Sequence, residues 1–326
     1  MLALRSAGGR GRLGRKLLRE LSTARAEIRQ GRFQRGMEVM AIFAAVVTGF
    51  ESYTQHLRGA FSQWLMWTPA LLTLPMVLVA GAGLFREWIA RRVLPIVSLL
   101  WLVDGVVGFA FHLRGIGRLP GGYKLGQYNL VMGPPVFAPL LACTVGILGL
   151  LGSMLRRGGM VPHGLSRILL PVDEHEPLIY PEARWLPEPL ATNVAYGRFQ
   201  QGMALVAAFS GVLAGGEACL EHLRGSFNQR FMWVPVWVTF PMVIVGVLSA
   251  GNTAVAHRAL PVVSVATFLV GALGFLLHLR GIKEMPGGTS TLRFAITLGP
   301  PAFAPLLFSS TGLLGFIASL LQRRGD

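Results

Sequence analysis

Apolar residues in this sequence are gathered into eight stretches, each close to the ~20 residues that an α-helix needs to cross a lipid bilayer. The stretches cover residues 37–57, 65–85, 93–113, 134–154, 203–223, 231–250, 259–279 and 300–321. Of the 326 residues, 52% are hydrophobic and only 14% are charged, which is typical of a membrane protein. The sequence therefore predicts an all-α integral membrane protein with eight transmembrane helices.

The second half of the chain repeats the pattern of the first half without a gap. Four features of the first half recur 166 residues later, and this spacing predicts a tandem duplication of a four-helix unit. Four helices return the chain to the side of the membrane on which it started, so the two repeats should be parallel. The matched features are Glu51 with Glu217, His56 with His222, His112 with His278, and Pro134–Pro135 with Pro300–Pro301.

The predicted units are a basic cytoplasmic arm over 1–36, a membrane repeat over 37–157, a Pro-rich cytoplasmic linker over 158–196 and a second membrane repeat over 197–326. Leucines at helical spacing among Arg and Lys indicate either an amphipathic helix on anionic lipids or a disordered basic arm. The spacing is carried by Leu13, Leu17, Leu21, Ala24 and Ile28.

The formal charge of +15 follows the predicted topology and does not point to nucleic acid. With the N-terminus inside, 21 of the 30 Lys and Arg residues fall in segments on the inner side. The positive-inside rule then places both termini and the linker in the cytoplasm. A bacterial inner membrane is expected, and an organellar inner membrane is the alternative because an Arg-rich arm also suits a transit peptide.

One tetrapeptide, His-Leu-Arg-Gly, closes four of the apolar stretches. Glycine after a helix end is a favoured cap, and a cation there suits the helix dipole, so capping accounts for the arginine and the glycine. Capping does not account for the histidine, because Lys, Arg or Gln would serve the dipole as well. Four imidazoles at the outer ends of four helices predict a metal or haem centre. They are His56, His112, His222 and His278.

Glu51 and Glu217 each precede a histidine by five residues, inside a predicted span. An ionised carboxylate near mid-membrane costs about 2.5–3.5 kcal/mol on insertion scales, so each needs a partner or remains neutral in a helix-packing hydrogen bond. Two histidines and one glutamate per half would be a ligand set for iron, copper, manganese or zinc, in two separate centres or one shared centre. Positions five apart differ by about 140° on an ideal helix, so Glu and His either meet at a distorted helix end or serve neighbouring centres.

Haem b is the competing cofactor, because it needs two imidazoles from facing helices. Small residues one and two turns before two of the histidines would give its ring room, although they also let helices pack closely. These are Gly105, Gly108, Gly271 and Gly274. The four arginines of the tetrapeptides would neutralise haem propionates, acidic lipids or an acidic partner. They are Arg58, Arg114, Arg224 and Arg280.

These features favour a redox protein that moves electrons between a quinone pool or partner enzyme and the outer side of the membrane. Asp104, which has Val270 at the matched position, is a candidate for a proton path. Two functions of other classes stay open: a transporter or channel, because intramembrane acids also build substrate pathways, and a non-catalytic scaffold subunit of a membrane complex. The sequence contains no phosphate-binding glycine loop or nucleophile elbow that would support soluble nucleotide or acyl chemistry.

Overall fold

The computed structural model describes residues 33–154 and 198–320, and these form helices and turns without a β-strand. Six helices in the first half are followed by six in the same order in the second half, and four of the six pairs begin 166 residues apart. The predicted linker and most of the predicted arm lie outside the described residues. The helices are α1 Phe33–Arg58, α2 Thr68–Gly83, α3 Glu87–Arg92, α4 Leu94–Arg118, α5 Gly126–Met132, α6 Ala138–Met154, α7 Arg198–Arg224, α8 Val234–Gly251, α9 Thr253–Arg258, α10 Leu260–Lys283, α11 Leu292–Leu298 and α12 Leu306–Leu320.

Five helical segments of the described chain are long and apolar enough to cross a membrane. The prediction of an all-α protein with membrane-spanning helices is confirmed at this level, and the full count of eight spans stays a prediction. Two further helices are apolar but shorter, Ala138–Ser153 and Leu306–Leu320. The five segments are Trp64–Gly83, Glu87–Arg118, Gln201–Arg224, Arg230–Gly251 and Leu260–Lys283.

The two shorter helices begin later than the apolar stretches that predict them, because each stretch starts with a pair of prolines. Proline has no N–H to donate, and it disfavours helical backbone in the residue before it. Gly133 and Gly299, which precede the proline pairs, have extended backbone, and α6 and α12 begin only at Ala138 and Leu306. A short non-helical segment therefore precedes the last long helix of each half.

In each half, four long helices form a bundle in which the two histidine-bearing helices are diagonal. In the first half, α1 and α4 each pack against α2 and α6. In the second half, α7 and α10 each pack against α8 and α12. The halves meet where α7 contacts α6 and α12 contacts α1. A shared core of buried side chains crosses this boundary, with Met37 and Trp101 from the first half and Met203 and Met242 from the second.

Large apolar side chains cover the outward faces of the bundles. Each of five such residues leaves more than half of its surface exposed: Leu71, Leu78, Trp237, Ile244 and Val262. A continuous apolar surface of this kind is a liability in water, and it suits contact with lipid hydrocarbon. The exposed faces agree with the membrane location indicated by helix length.

The tetrapeptide glycines do not cap helices in the expected way. Gly115 and Gly281 lie inside α4 and α10, which continue to Arg118 and Lys283, so His112 and His278 do not end their helices. After α1, the left-handed residues are Ala60 and Phe61, with φ of 51° and 47°, rather than the glycine. Ser226 and Phe227 have the same conformation after α7. The explanation of these glycines as left-handed caps is therefore wrong.

The glycines before His112 and His278 let helices approach each other. A Cβ atom added to Gly105 would meet Cys143 Sγ and the carbonyl oxygen of Pro139 on α6. A Cβ atom on Gly271 would meet the backbone of Pro305 and Ser309. These glycines therefore make room for α6 and α12, and the prediction that Gly105 and Gly271 clear space for a haem ring is wrong.

We expect that Gly271→Ala destabilises the protein, because the added methyl group would collide with the Pro305 oxygen and the Ser309 nitrogen, and backbone atoms cannot rotate away. Overpacking of this kind costs about 1–3 kcal/mol. Gly251→Ala is the matched control, since its methyl group would meet no atom within 4 Å. Thermal unfolding in mild detergent should show a lower Tm for G271A alone, and an unchanged Tm would contradict the close packing of α10 on α12.

Candidate cofactor site

The four histidines of the tetrapeptides form two pairs, one in each half. In the first pair, the ring centroids of His56 on α1 and His112 on α4 are 6.4 Å apart, and the ring planes are inclined at 68°. In the second pair, His222 on α7 and His278 on α10 are 6.5 Å apart at 66°. The structure therefore brings the predicted histidines together across the diagonal of each bundle.

Each histidine ring is held by a hydrogen bond from its Nδ1 atom to a backbone carbonyl. The first pair contacts Met66 O at 2.6 Å and Pro135 O at 2.6 Å. A carbonyl oxygen can only accept, so Nδ1 carries the proton and Nε2 keeps its lone pair. Fixing the tautomer in this way is what a metal-ligating histidine requires. The second pair has the equivalent partners, Met232 O at 2.7 Å and Pro301 O at 2.6 Å.

The spacing of the rings matches that of two imidazoles on opposite sides of one metal ion. A metal–nitrogen bond is about 2.0 Å, and ring bonds of about 1.3 Å put the nitrogen about 1.1 Å from the ring centroid, so two such ligands have centroids about 6.3 Å apart. The observed centroid distances are 6.4 Å and 6.5 Å. Both pairs thus have the spacing of axial ligands.

A cavity of about 750 Å³ adjoins the second pair. Its volume lies within the range for small-molecule and cofactor sites. The wall is mostly apolar, with Val270, Leu273 and Leu277 among its residues, and both His222 and His278 contribute to it. Four charged side chains also line the cavity: Glu221, Arg230, Arg280 and Glu284.

The predicted set of two histidines and one glutamate per half is not assembled in the described residues. No group of three or more His, Cys, Asp and Glu side chains there is arranged to hold a metal ion. The glutamates instead reach the opposite half. Glu51 Oε2 accepts a hydrogen bond from Phe303 N at 2.9 Å, and Glu217 Oε2 accepts one from Phe137 N at 2.6 Å.

The buried glutamates therefore have a packing partner that explains their place in an apolar helix. Glu217 is only 9% exposed. A hydrogen bond from a backbone N–H to a carboxylate contributes about 1.5–3 kcal/mol, which offsets part of the cost of burying the acid. The 140° offset between Glu51 and His56 is resolved in the same way, because the imidazole faces its own bundle and the carboxylate contacts the other half.

Two of the four predicted arginines also reach across to the opposite half. Arg224 donates from Nε to Val131 O at 2.8 Å and from Nη2 to Gly133 O at 2.6 Å. Arg58 donates in the same way to the carbonyl oxygens of Thr297 and Gly299. Their guanidinium groups are therefore engaged by backbone and are not free for a propionate.

The other two arginines, Arg114 and Arg280, are exposed. Arg280 lines the cavity beside the second pair and donates from Nε to Glu284 Oε1 at 2.7 Å. The tetrapeptide arginines thus divide into a pair that binds backbone across the boundary and a pair at the surface.

Residues 131–137 and 297–303, here called the first and second Pro-Pro segments, connect these contacts to the histidines. The first Pro-Pro segment contains Pro135, whose carbonyl holds His112, and it is bound by Glu217 and Arg224 of the other half. The second Pro-Pro segment contains Pro301, which holds His278, and it is bound by Glu51 and Arg58. Each half therefore supports one histidine of the other half.

The turn after α1 places an aromatic side chain beside His56 at an energetic cost. Ala60 and Phe61 are left-handed, a conformation that costs roughly 1–2 kcal/mol per non-glycine residue. The Phe61 ring stacks on Trp67 with centroids 3.9 Å apart and lies 6.2 Å from the His56 ring. Phe227 stacks on Trp233 at 4.0 Å in the same way. Strain retained at both sites is typical of a functional region.

No protein-family model, curated protein or solved structure matches this chain. Sequence reasoning found the histidines but missed the contacts between the halves. The available signal was the spacing Glu51 to Arg58, repeated at Glu217 to Arg224, together with the 140° offset that turns the carboxylate away from the imidazole.

We expect that Arg224→Ala loosens the first Pro-Pro segment, because it removes two hydrogen bonds to the carbonyls of Val131 and Gly133. Hydrogen–deuterium exchange measured by mass spectrometry should become faster in residues 131–137 and stay unchanged in 297–303. Arg58→Ala should give the reverse pattern. Arg114→Ala, at an exposed position, is the control and should change neither. Faster exchange in 297–303 of R224A would contradict the crossed arrangement.

Proposed function

We propose that this protein is an integral membrane electron-transfer protein that binds one haem b in each half, between His56 and His112 and between His222 and His278. The observation that carries the proposal is the geometry of the pairs. Their rings come from diagonal helices at axial-ligand spacing, and each Nδ1 is tied to a carbonyl so that Nε2 is the available nitrogen.

A pair of imidazoles favours haem over a non-haem ion. Zinc and similar ions need three or four protein ligands, and the described residues provide no such group. In haem, the porphyrin supplies four nitrogen ligands and the protein needs to supply only the axial ones. Two histidines per half therefore make a complete protein contribution to a six-coordinate haem.

The proposed membrane arrangement is eight transmembrane helices in two parallel four-helix repeats that arose by tandem duplication. Both termini and the linker would be cytoplasmic, and both haems would lie near the outer face of a bacterial inner membrane. The support comes from the matched positions of Glu51 and Glu217, the matched helix order and the excess of basic residues in the predicted inner segments.

The haem iron would accept one electron, passing from ferric to ferrous, and would return to ferric when it passes the electron on. The expected exchange partners are a quinone pool or a protein partner in a membrane complex. Arg230 and Arg280, which line the cavity of the second pair, are placed to neutralise the haem propionates. Arg58 and Arg224 would act through the Pro-Pro segments, as positioning residues for His278 and His112.

The structure weakens the main reason for considering a transporter. Glu51 and Glu217 attracted that interpretation as intramembrane acids, yet both accept hydrogen bonds from backbone N–H groups of the opposite half. A carboxylate used in this way stabilises the contact between the bundles and does not need a substrate ion as its partner.

We expect the protein purified in mild detergent to show a Soret band and reducible α and β bands, with two haems per chain. His112→Ala should lose one of the two haems, because it removes an axial ligand of the first pair, and the double variant H112A/H278A should lose both. Pyridine haemochrome analysis against protein concentration gives the count.

His257→Ala is the matched control for these substitutions. His257 also has Nδ1 against a carbonyl, Ser319 O at 3.1 Å, but it lies on α9 outside both pairs. Its variant should retain two haems. Full haem content in H112A/H278A, or no haem in the wild-type protein, would overturn the proposal.

A further inference from the structure

The two histidine pairs differ in one polar contact. In the first half, Thr68 Oγ1 at the start of α2 donates to Asp104 Oδ1 on α4 at 2.5 Å. Asp104 lies close enough to His56 for its charge to act on that imidazole. The first pair therefore has a carboxylate nearby that is held in place by a hydroxyl group.

Both members of this polar contact are replaced together in the second half. The position 166 residues after Thr68 is Val234, and the position 166 residues after Asp104 is Val270. Val234 and Val270 both line the cavity that adjoins His222 and His278. Since threonine and valine have nearly the same shape, the difference at this wall is one of polarity more than of volume.

Other charges near the second pair do not reproduce the effect of Asp104. Glu221 lines the second cavity, but Arg224 Nη1 lies 3.3 Å from its carboxylate. Glu284 is engaged by Arg280 in an exposed ion pair at 2.7 Å. Each acid of the second cavity's outer part thus has a cation beside it, whereas Asp104 has a neutral hydroxyl donor.

We infer that Thr68 and Asp104 make the two haem centres unequal, giving the first centre the lower midpoint potential. This inference rests on the proposed function. A ferric haem carries one more positive charge than a ferrous haem, so a fixed carboxylate nearby stabilises the ferric form. The interaction is stronger in a low-dielectric interior than in water. The first centre is then the better electron donor and the second the better acceptor.

The test is a potentiometric titration of the wild-type protein in detergent, with mediators and dithionite, followed through the α band. We expect two one-electron waves. The wave that is missing from His112→Ala belongs to the first centre, and it should be the one at lower potential. A single wave for two haems of equal potential would overturn the inference.

Asp104→Asn separates charge from structure, because asparagine keeps the size and hydrogen-bonding capacity of the side chain and removes its charge. The first wave should move to higher potential and the second should stay in place. Val270→Asp should lower the second wave, and Val270→Asn is its uncharged control. A first wave that does not move in D104N would overturn the inference, while the absence of a Soret band in the wild-type protein would remove the proposed function itself.

Discussion

The hydrogen bond between a histidine Nδ1 and a backbone carbonyl is the contact on which the candidate site depends. Backbone inside a bilayer must satisfy its polar groups within the protein, and a segment with two adjacent prolines cannot do so by forming a helix. Carbonyls such as Pro135 O and Gly133 O are therefore left to accept from side chains, and His112 and Arg224 supply the donors. One interaction satisfies the irregular backbone and also fixes the direction in which the imidazole can bind.

This constraint makes each site depend on the other half of the chain. Pro135 lies in a segment held by Glu217 and Arg224, so the orientation of His112 relies on side chains from the second bundle. The reverse holds for His278. Sub-ångström placement of ligands requires exactly such support from residues that do not touch the cofactor. The boundary between the bundles is thus part of the site and not only a packing surface.

The sequence predicts the helices, the matched halves and the histidines, because apolar length, spacing and residue type are local properties. It does not predict the partners of Glu51, since Phe303 lies 252 residues away and contributes only a backbone N–H. It also misplaces the helix caps, because the left-handed residues are Ala60 and Phe61, against their intrinsic preference. Stacking of Phe61 on Trp67 overrides that preference, and such tertiary packing leaves no periodic signal.

The contacts between the halves are reciprocal: Arg58 binds Gly299 as Arg224 binds Gly133, and Glu51 binds Phe303 as Glu217 binds Phe137. Reciprocity of this kind defines an isologous interface, the usual geometry of a two-fold homodimer. Every residue needed for such an interface is present in one half. A half-length ancestor could consequently have worked as a symmetric dimer, and fusion of its two copies would have freed positions such as Asp104 to diverge on one side only.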